Sequence, residues 1–179
     1  MEHGLKERQK EKSMLRPVSP SAAQIATVLS LFEQKRVEQA LEEIEKLDNK
    51  YPRCGALWNI KGAIYSVLKD LPNAEIAFKK AIGIDPRVKD PYVNLAGIYN
   101  KVGKSAEAID TFLEALKVLP NETQIYLKLA EIQQKTGDLN GAIGNLDIAF
   151  GLKPEDPAVL YSRGNIQTAL GRFCAAIES

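Results

Sequence analysis

Large and small side chains recur in this chain every 34 residues between Trp58 and Pro154. When Gly55, Lys89 and Thr123 are each counted as position one, position four is large and aromatic and position eight is small. The residues are Trp58, Tyr92 and Tyr126 at position four, and Gly62, Ala96 and Ala130 at position eight. Spacings of three and four residues predict amphipathic helices, and their tandem repetition predicts a solenoid of helix pairs.

The second half of each unit also alternates small and large residues. Small residues stand at positions twenty and twenty-seven, and a large apolar residue stands at position twenty-four. The residues are Ala74, Ala108 and Ala142, then Phe78, Phe112 and Leu146, and finally Ala81, Ala115 and Ala149. Small residues let two antiparallel helices approach closely, and large residues fill the neighbouring gaps. We therefore expect these positions, together with the aromatic residues at position four, to form the core.

Glycine and proline mark the predicted turns. Gly103, Gly137 and Gly171 stand at position fifteen, where a left-handed backbone ends a helix at little steric cost. Each unit closes with a proline at position thirty-two, which cannot continue the second helix. Asp90 and Asp156 each precede a proline, so both are expected to cap the helix that follows.

These signals predict helices at about residues 21–34, 37–49, 56–68, 72–84, 90–102, 106–118, 123–136 and 139–152. The order of W, L, G, Y, A, F, A and P at these spacings resembles the tetratricopeptide repeat (TPR). Residues 89–122 match that pattern at all eight positions. The resemblance implies an all-α fold, a right-handed superhelical solenoid of antiparallel helix pairs.

The register divides the chain into a tail and about four and a half repeats. Residues 1–18 are charged and almost without large apolar side chains, so we expect them to be disordered or loosely helical. The array is expected at residues 19–179, with a divergent repeat at 21–54, repeats at 55–88, 89–122 and 123–156, and a truncated repeat at 157–179. In the last unit, the second helix is expected to be cut. The chain therefore looks like the N-terminal array of a larger, bacterial protein.

Composition and missing motifs narrow the classes of function. Acids and bases balance to a net charge of +1 and aromatic residues are few, so nucleic-acid binding is not expected. No apolar run approaches the roughly 20 residues of a membrane span, and no secretory signal is visible, so the expected compartment is the cytoplasm. The only histidine is His3, and the chain has no CxxC, GxGxxG or phosphate-loop motif. We therefore expect no catalytic residues, no metal and no cofactor in this chain.

A groove for a partner is implied by the TPR resemblance. In that family the first helix of each unit lines a concave surface, with positions two, five, six, nine, twelve and thirteen pointing into it. The candidate residues here are Asn59, Asn94, Asn100, Lys101, Gln124, Lys128, Glu131, Gln134, Tyr161 and Asn165. Because a side-chain amide both donates and accepts, it can bind the backbone of an extended peptide without demanding one sequence.

The charges of this groove favour a mildly acidic protein or peptide partner. Lysines outnumber acids among the inward positions, whose charged residues include Lys101, Lys128, Lys135, Asp90 and Glu131. Some TPR proteins hold a terminal carboxylate with a clamp of lysine, asparagine and arginine. That clamp is not expected here, because only Asn94 matches its positions and Lys128 approximates another.

Three functions remain open from the sequence. The first is a non-catalytic scaffold that binds an extended partner in the concave groove. The second is the recognition arm of a larger enzyme, because a weak first repeat followed by better ones looks like bacterial arrays that precede glycosyltransferase-like or sulfotransferase-like domains. The third is self-association through the uncovered surface at the C-terminal end, where residues 157–179 form an incomplete unit.

Overall fold

The computed structural model describes the backbone of residues 19–178 and the side-chain surroundings of residues 19–171. The predicted tail at residues 1–18 lies outside this range. Within it, all regular secondary structure is helical. The helices are α1 (Ala22–Glu33), α2 (Val37–Lys50), α3 (Gly55–Val67), α4 (Leu71–Ile84), α5 (Asp90–Lys101), α6 (Ser105–Val118), α7 (Thr123–Thr136), α8 (Leu139–Leu152) and α9 (Pro157–Glu178). The eight predicted helices are all present, with ends that differ by at most one residue.

Consecutive helices pair into hairpins that stack along the chain. Helix α1 packs against α2, α3 against α4, α5 against α6, and α7 against α8. Each second helix also packs against the first helix of the next unit, and α9 contacts both α7 and α8. This confirms the predicted all-α TPR superhelix, in which every helix pair contacts its neighbours in sequence.

The core lies where the repeat register predicts it. Phe78, Phe112 and Leu146 at position twenty-four are each no more than 2% exposed. An aromatic side chain at such a site stabilises a fold by about 3–5 kcal/mol relative to alanine. The small residue at position eight makes room for it, since a Cβ atom added at Gly62 would lie 2.7 Å from the Phe78 ring.

The burial of the residues at position four is less uniform than the pattern predicts. Tyr92 is buried, whereas Trp58 and Tyr126 are only half-buried. The Trp58 indole N–H donates to Asp48 Oδ1 at 2.9 Å, and Lys80 Nζ lies 3.5 Å from the centre of its ring. The prediction of a core tryptophan is therefore wrong in part, because the polar edge of the ring reaches a carboxylate near the surface.

The inner turns share one hydrogen bond in four successive units. The N–H of position sixteen donates to the carbonyl of position eleven at 2.9 Å in each unit, a bond typical of a Schellman turn. This geometry requires a left-handed residue at position fifteen. Gly103 and Gly137 adopt it with φ of 79° and 85°, as predicted, and Lys35 and Lys69 adopt it with φ of 60° and 63°.

The turn predicted at Gly171 is absent, because α9 continues through it to Glu178. Extension of an existing helix adds one hydrogen bond per residue, whereas a separate helix after a turn needs a new nucleus. The second helix predicted for the last unit therefore does not form as a separate element among the described residues.

The outer turns show one of the two predicted aspartate caps. Asp156 Oδ1 accepts from the Ala158 N–H at 2.9 Å just before α9, as expected for a cap. Asp90 is instead the first residue of α5, and Lys89 occupies the capping position without a side-chain hydrogen bond. The predicted cap at Asp90 is wrong by one residue. A carboxylate in the first turn still interacts favourably with the helix dipole.

Candidate functional site

The candidate groove residues lie on the first helices of four successive units. Helix α3 carries one of them, α5 three, α7 four and α9 two. The residues are Asn59 on α3, then Asn94, Asn100 and Lys101 on α5, then Gln124, Lys128, Glu131 and Gln134 on α7, and finally Tyr161 and Asn165 on α9. All ten are exposed or half-buried.

A depression of about 320 Å³ between α7 and α9 brings six of the ten together. They are Gln124, Lys128, Glu131, Gln134, Tyr161 and Asn165. Its floor is apolar and includes Leu127, Ala130 and Ile166. Tyr161 is 72% exposed at the rim, so its ring is free to pack against a bound chain.

A second depression of about 270 Å³ lies between α5 and α7. It contains Asn100 and Lys101, and its floor includes Val93 and Phe112. Two residues on α7, Lys128 and Glu131, line both depressions. The two hollows therefore adjoin and form one groove, which we call the α5–α7–α9 groove.

Glu131 is held between two lysines at the centre of this groove. Lys135 Nζ lies 2.7 Å from Glu131 Oε1, and Lys128 Nζ lies 2.9 Å from Oε2. The hydrogen bond from Lys135, followed by that from Lys128, lowers the pKa of the Glu131 carboxyl below its usual value. At neutral pH the three side chains carry one net positive charge.

The remaining two candidates pair with each other. Asn94 Nδ2 donates to Asn59 Oδ1 at 3.0 Å, across the contact between α5 and α3. Asn59 lines a further depression of about 440 Å³, with Arg53, Asp85 and Asp90 among its polar residues. Asn94 lines neither this depression nor the α5–α7–α9 groove. The structure therefore separates these two amides from the other eight candidates.

The apolar floor was not among the predicted site residues. Leu127 and Val93 stand at position five of their units, as Tyr161 does, and both line the groove. The same periodicity that selected Tyr161 also selects these two residues. Leu127 and Val93 were not predicted because only polar residue types were selected at the inward positions. An apolar floor nevertheless supplies much of the buried area in a binding site.

Two other properties of the described residues bear on function. Between residues 19 and 178, no helix combines the length and apolar character needed to cross a bilayer. Among residues 19–171, whose side-chain surroundings the structure describes, no three histidine, cysteine, aspartate or glutamate side chains cluster as metal ligands would. His3, the only histidine, lies outside the described residues.

Models of the tetratricopeptide repeat match most of the sequence. One matches residues 25–88 and again residues 127–179, and a second matches residues 90–122. These boundaries follow the 34-residue register within a few residues, apart from the divergent first unit. A search of curated proteins found no matching sequence.

Solved structures with the same helix arrangement include proteins of different origins. A tetratricopeptide repeat protein from Parabacteroides merdae has a TM-score of 0.71 and 15% identity, over 84% of this chain and 60% of that chain. Pseudomonas aeruginosa PilF has a TM-score of 0.68 and 17% identity, over 87% of this chain and 71% of that one. The first TPR domain of Spaghetti (RPAP3), bound to the HSP90 peptide SRMEEVD, has a TM-score of 0.58 and 19% identity, over 66% and 94%.

These likenesses show the fold alone, because all three identities lie below 20%. The chain spans 60% of the length of the Parabacteroides protein. What those proteins bind is therefore a property of each of them, and a function for this chain depends on its own surface.

Proposed function

Because the chain belongs to the tetratricopeptide repeat family, we propose that it is a non-catalytic scaffold that binds an extended segment of a partner protein. The proposal depends on one observation, the adjoining depressions that form the α5–α7–α9 groove. The groove has an apolar floor and a polar rim, a combination suited to a peptide that buries some side chains and pairs its backbone.

The two hollows would each take an apolar side chain of the partner. The floor of the α7–α9 hollow presents Leu127, Ala130 and Ile166, and that of the α5–α7 hollow presents Val93 and Phe112. Around them stand the side-chain amides of the rim, which can donate to carbonyls and accept from N–H groups. These amides are Gln124, Gln134, Asn165 and Asn100.

A mildly acidic partner is favoured by the net positive charge between the two hollows. Glu131 neutralises one of its two lysine neighbours, Lys128 and Lys135, and one positive charge remains. The Spaghetti (RPAP3) domain was solved with a peptide, SRMEEVD, that has more acidic than basic residues. Electrostatic attraction between exposed groups is screened by salt, so binding should weaken modestly as ionic strength rises.

A recognition arm of a larger glycosyltransferase-like or sulfotransferase-like enzyme remains the alternative prediction. The same groove would then select the substrate protein of that enzyme. Determination of the gene sequence on both sides of these 179 residues would separate the two possibilities, because the alternative requires a catalytic domain in the same polypeptide. A cytoplasmic location and a bacterial origin also remain predictions.

The groove can be tested with peptides chosen by the protein itself. Selection from a phage-displayed library of random peptides should give binders, and a synthetic copy of the best binder is then titrated by calorimetry. Lys128→Ala and Tyr161→Ala should each weaken its binding by at least about fivefold, the effect of losing about 1 kcal/mol at an interface. Both side chains are substantially exposed, so the free energy of unfolding should change by less than about 0.5 kcal/mol.

The matched control is Lys117→Ala, which removes an exposed lysine from α6 outside the groove. It should leave the affinity for the selected peptide unchanged. Loss of affinity in this control alone would show that the outer surface binds the peptide and would contradict the proposal. A library that gives no peptide sensitive to Lys128 or Tyr161 would contradict it as well.

A further inference from the structure

The second helices of two successive units, α4 and α6, border a hollow of about 810 Å³. Both helices pack against α5, and Tyr92 of α5 lines the hollow between them. We call this surface the α4–α6 hollow and define it by six of its lining residues. They are Ile82 of α4, Tyr92 of α5, and Asp110, Leu113, Glu114 and Val118 of α6. None of them lines the α5–α7–α9 groove.

The hydroxyl group of Tyr92 lacks the kind of partner that its equivalents at position four have. The Trp58 N–H donates to Asp48 Oδ1 at 2.9 Å. The Tyr126 hydroxyl donates to the Pro120 carbonyl at 3.0 Å. Tyr92 is only 1% exposed, and its hydroxyl has no hydrogen-bond partner among residues 19–171. Polar groups of buried side chains are normally hydrogen-bonded, so this hydroxyl is available to a group that enters the hollow.

The hollow also presents negative charge that no base of the chain neutralises. Asp110 and Glu114 lie four residues apart on α6, a spacing at which like charges repel each other. Neither carboxylate forms an ion pair within the described residues. With Lys117 at its edge, the hollow has two acids and one base, a net charge of −1. Burial, and after it the negative charge of Glu114, raises the pKa of Tyr92 above its usual value, so the phenol is neutral at pH 7.

The preceding unit has a cation at the equivalent place. Lys80 stands at position twenty-six of that unit, and its Nζ lies 3.5 Å from the centre of the Trp58 ring at position four. In the next unit, position twenty-six is Glu114 and position four is Tyr92. A carboxylate therefore replaces the ammonium group beside the aromatic ring. A cation that binds beside Tyr92 has to come from outside this unit.

Apolar side chains next to these polar groups are partly exposed. Leu113 is 46% exposed and Val118 is 41% exposed on α6, and Ile82 lines the hollow from α4. At position twenty-five, where Leu113 stands, the units on either side have Lys79 and Asp147. The exposed leucine is thus particular to the unit with the α4–α6 hollow. Apolar surface beside a carboxylate suits a side chain with an aliphatic stem and a charged end.

We propose that the α4–α6 hollow binds an arginine side chain of a partner protein. The guanidinium group would donate to the Glu114 carboxylate and to the Tyr92 hydroxyl oxygen, and the aliphatic stem would cover Leu113. Arginine fits better than lysine because its planar group has five donors in a fixed fork, whereas the lysine ammonium is a point charge. This surface and the α5–α7–α9 groove have no residue in common, so the proposal goes beyond groove binding.

The probe is a peptide from a phage-displayed library in which one fixed arginine stands between random flanking residues. Selection uses the full-length protein with Lys128→Ala and Tyr161→Ala, so that binders of the groove are disfavoured. A labelled synthetic copy of the best binder is then titrated by fluorescence anisotropy. Replacement of its arginine by citrulline, which keeps the shape and removes the charge, should weaken binding by at least about tenfold. Replacement by lysine should weaken it by several-fold.

Two variants of the protein test the residues that hold the arginine. Glu114→Gln should weaken binding by at least about fivefold, the upper end of the range for an exposed charge pair. Tyr92→Phe should weaken it by about two- to tenfold through loss of one hydrogen bond. Because this substitution keeps the buried ring, the variant should fold. The matched control is Glu107→Gln, at an exposed glutamate of α6 outside the hollow, and it should leave binding unchanged.

Several results would overturn the proposal. They are a selection without binders, equal binding of the citrulline peptide, and binding that neither Glu114→Gln nor Tyr92→Phe weakens. Equal binding of the lysine peptide would overturn the choice of arginine. A rise in affinity on Arg8→Ala with Arg16→Ala would make the chain's own first residues the occupant. A dimer that Glu114→Gln dissociates, measured by sedimentation, would make a second copy the occupant.

Discussion

At the scale of single residues, the inner turns show a mismatch between geometry and residue type. All four turns need a left-handed residue at position fifteen, but only two have glycine there. Lys35 and Lys69 occupy the same conformation at the cost of a contact between Cβ and the following carbonyl. The turn is retained because its hydrogen bonds and the packing of both flanking helices depend on it.

Lys69→Gly should therefore stabilise the protein. Relief of the left-handed strain contributes about 1–2 kcal/mol, and the greater freedom of glycine in the unfolded chain offsets about 0.4–1 kcal/mol. We expect a net gain of about 0.5–1 kcal/mol in the free energy of unfolding, measured by urea denaturation.

Two variants serve as controls for this prediction. Gly103→Ala should destabilise by about 1 kcal/mol, because it introduces a side chain at φ of 79°. Lys117→Gly, in a helix with ordinary φ, should destabilise by about 0.5–1 kcal/mol. If Lys69→Gly lowered stability as Lys117→Gly does, strain at position fifteen would not be the controlling factor.

At the scale of elements, helix α7 is the centre of the proposed binding site. Its outward residues line the hollows on both sides, so one helix contributes to contacts with two parts of a bound segment. Glu131 orients two lysines from positions three before and four after it on the same helix. The carboxylate thus limits the positive charge that the groove presents.

Glu131→Gln should strengthen binding of an acidic peptide selected on the groove. The substitution raises the charge of the cluster from one to two positive charges and keeps the shape of the side chain. We expect affinity to rise by about two- to fivefold at pH 7 and low salt, the range of exposed charge pairs. The control Glu114→Gln, on the exposed surface of α6, should leave affinity unchanged.

The pH dependence follows from the lowered pKa of Glu131. The folded-state pKa lies below the unfolded value, so the ion pairs contribute fully above the unfolded pKa and are lost as pH falls through the folded pKa. Glu131 is 44% exposed, and the contribution to stability is small. Titration of Glu131 should therefore not change the affinity of the groove for the selected peptide between pH 7 and pH 5. A rise in affinity over that range would contradict the lowered pKa of Glu131.

At the scale of the whole molecule, the stacked pairs gain stability from their neighbours. Helices α5 and α6 are packed between two other units, whereas α9, in the part of the chain that the structure describes, packs on α7 and α8. In such arrays the free energy of unfolding is approximately the sum of contributions from the units and from the interfaces between them. A helix that packs against fewer elements of this 179-residue chain should therefore open more readily than the central units.

Native-state hydrogen exchange should show this gradient. Amides of residues 157–171 should exchange faster than the buried-helix amides of residues 90–118, because opening α9 breaks fewer interfaces. Exchange is measured by mass spectrometry on a sample shown to be monomeric. Equal protection of both segments would indicate that the array opens as one cooperative unit.

The repeat period by itself determines much of this structure. Phe112 and its equivalents are buried where the register predicts, and Gly103 and Gly137 form the expected left-handed turns. These features depend on local spacing within one unit, and each unit repeats the same spacing. The eight paired helices and the all-α solenoid follow from that periodicity.

Other features depend on contacts between units, which no single unit encodes. The pairing of Asn94 with Asn59, and the sharing of Glu131 between two hollows, follow from how successive first helices are offset in the stack. The left-handed conformation of Lys69 follows from competition between residue preference and packing. The continuous helix through Gly171 follows from the cost of starting a new helix after a turn. Sequence thus determined the repeating unit, whereas tertiary structure decided which polar groups meet, because those groups belong to different units.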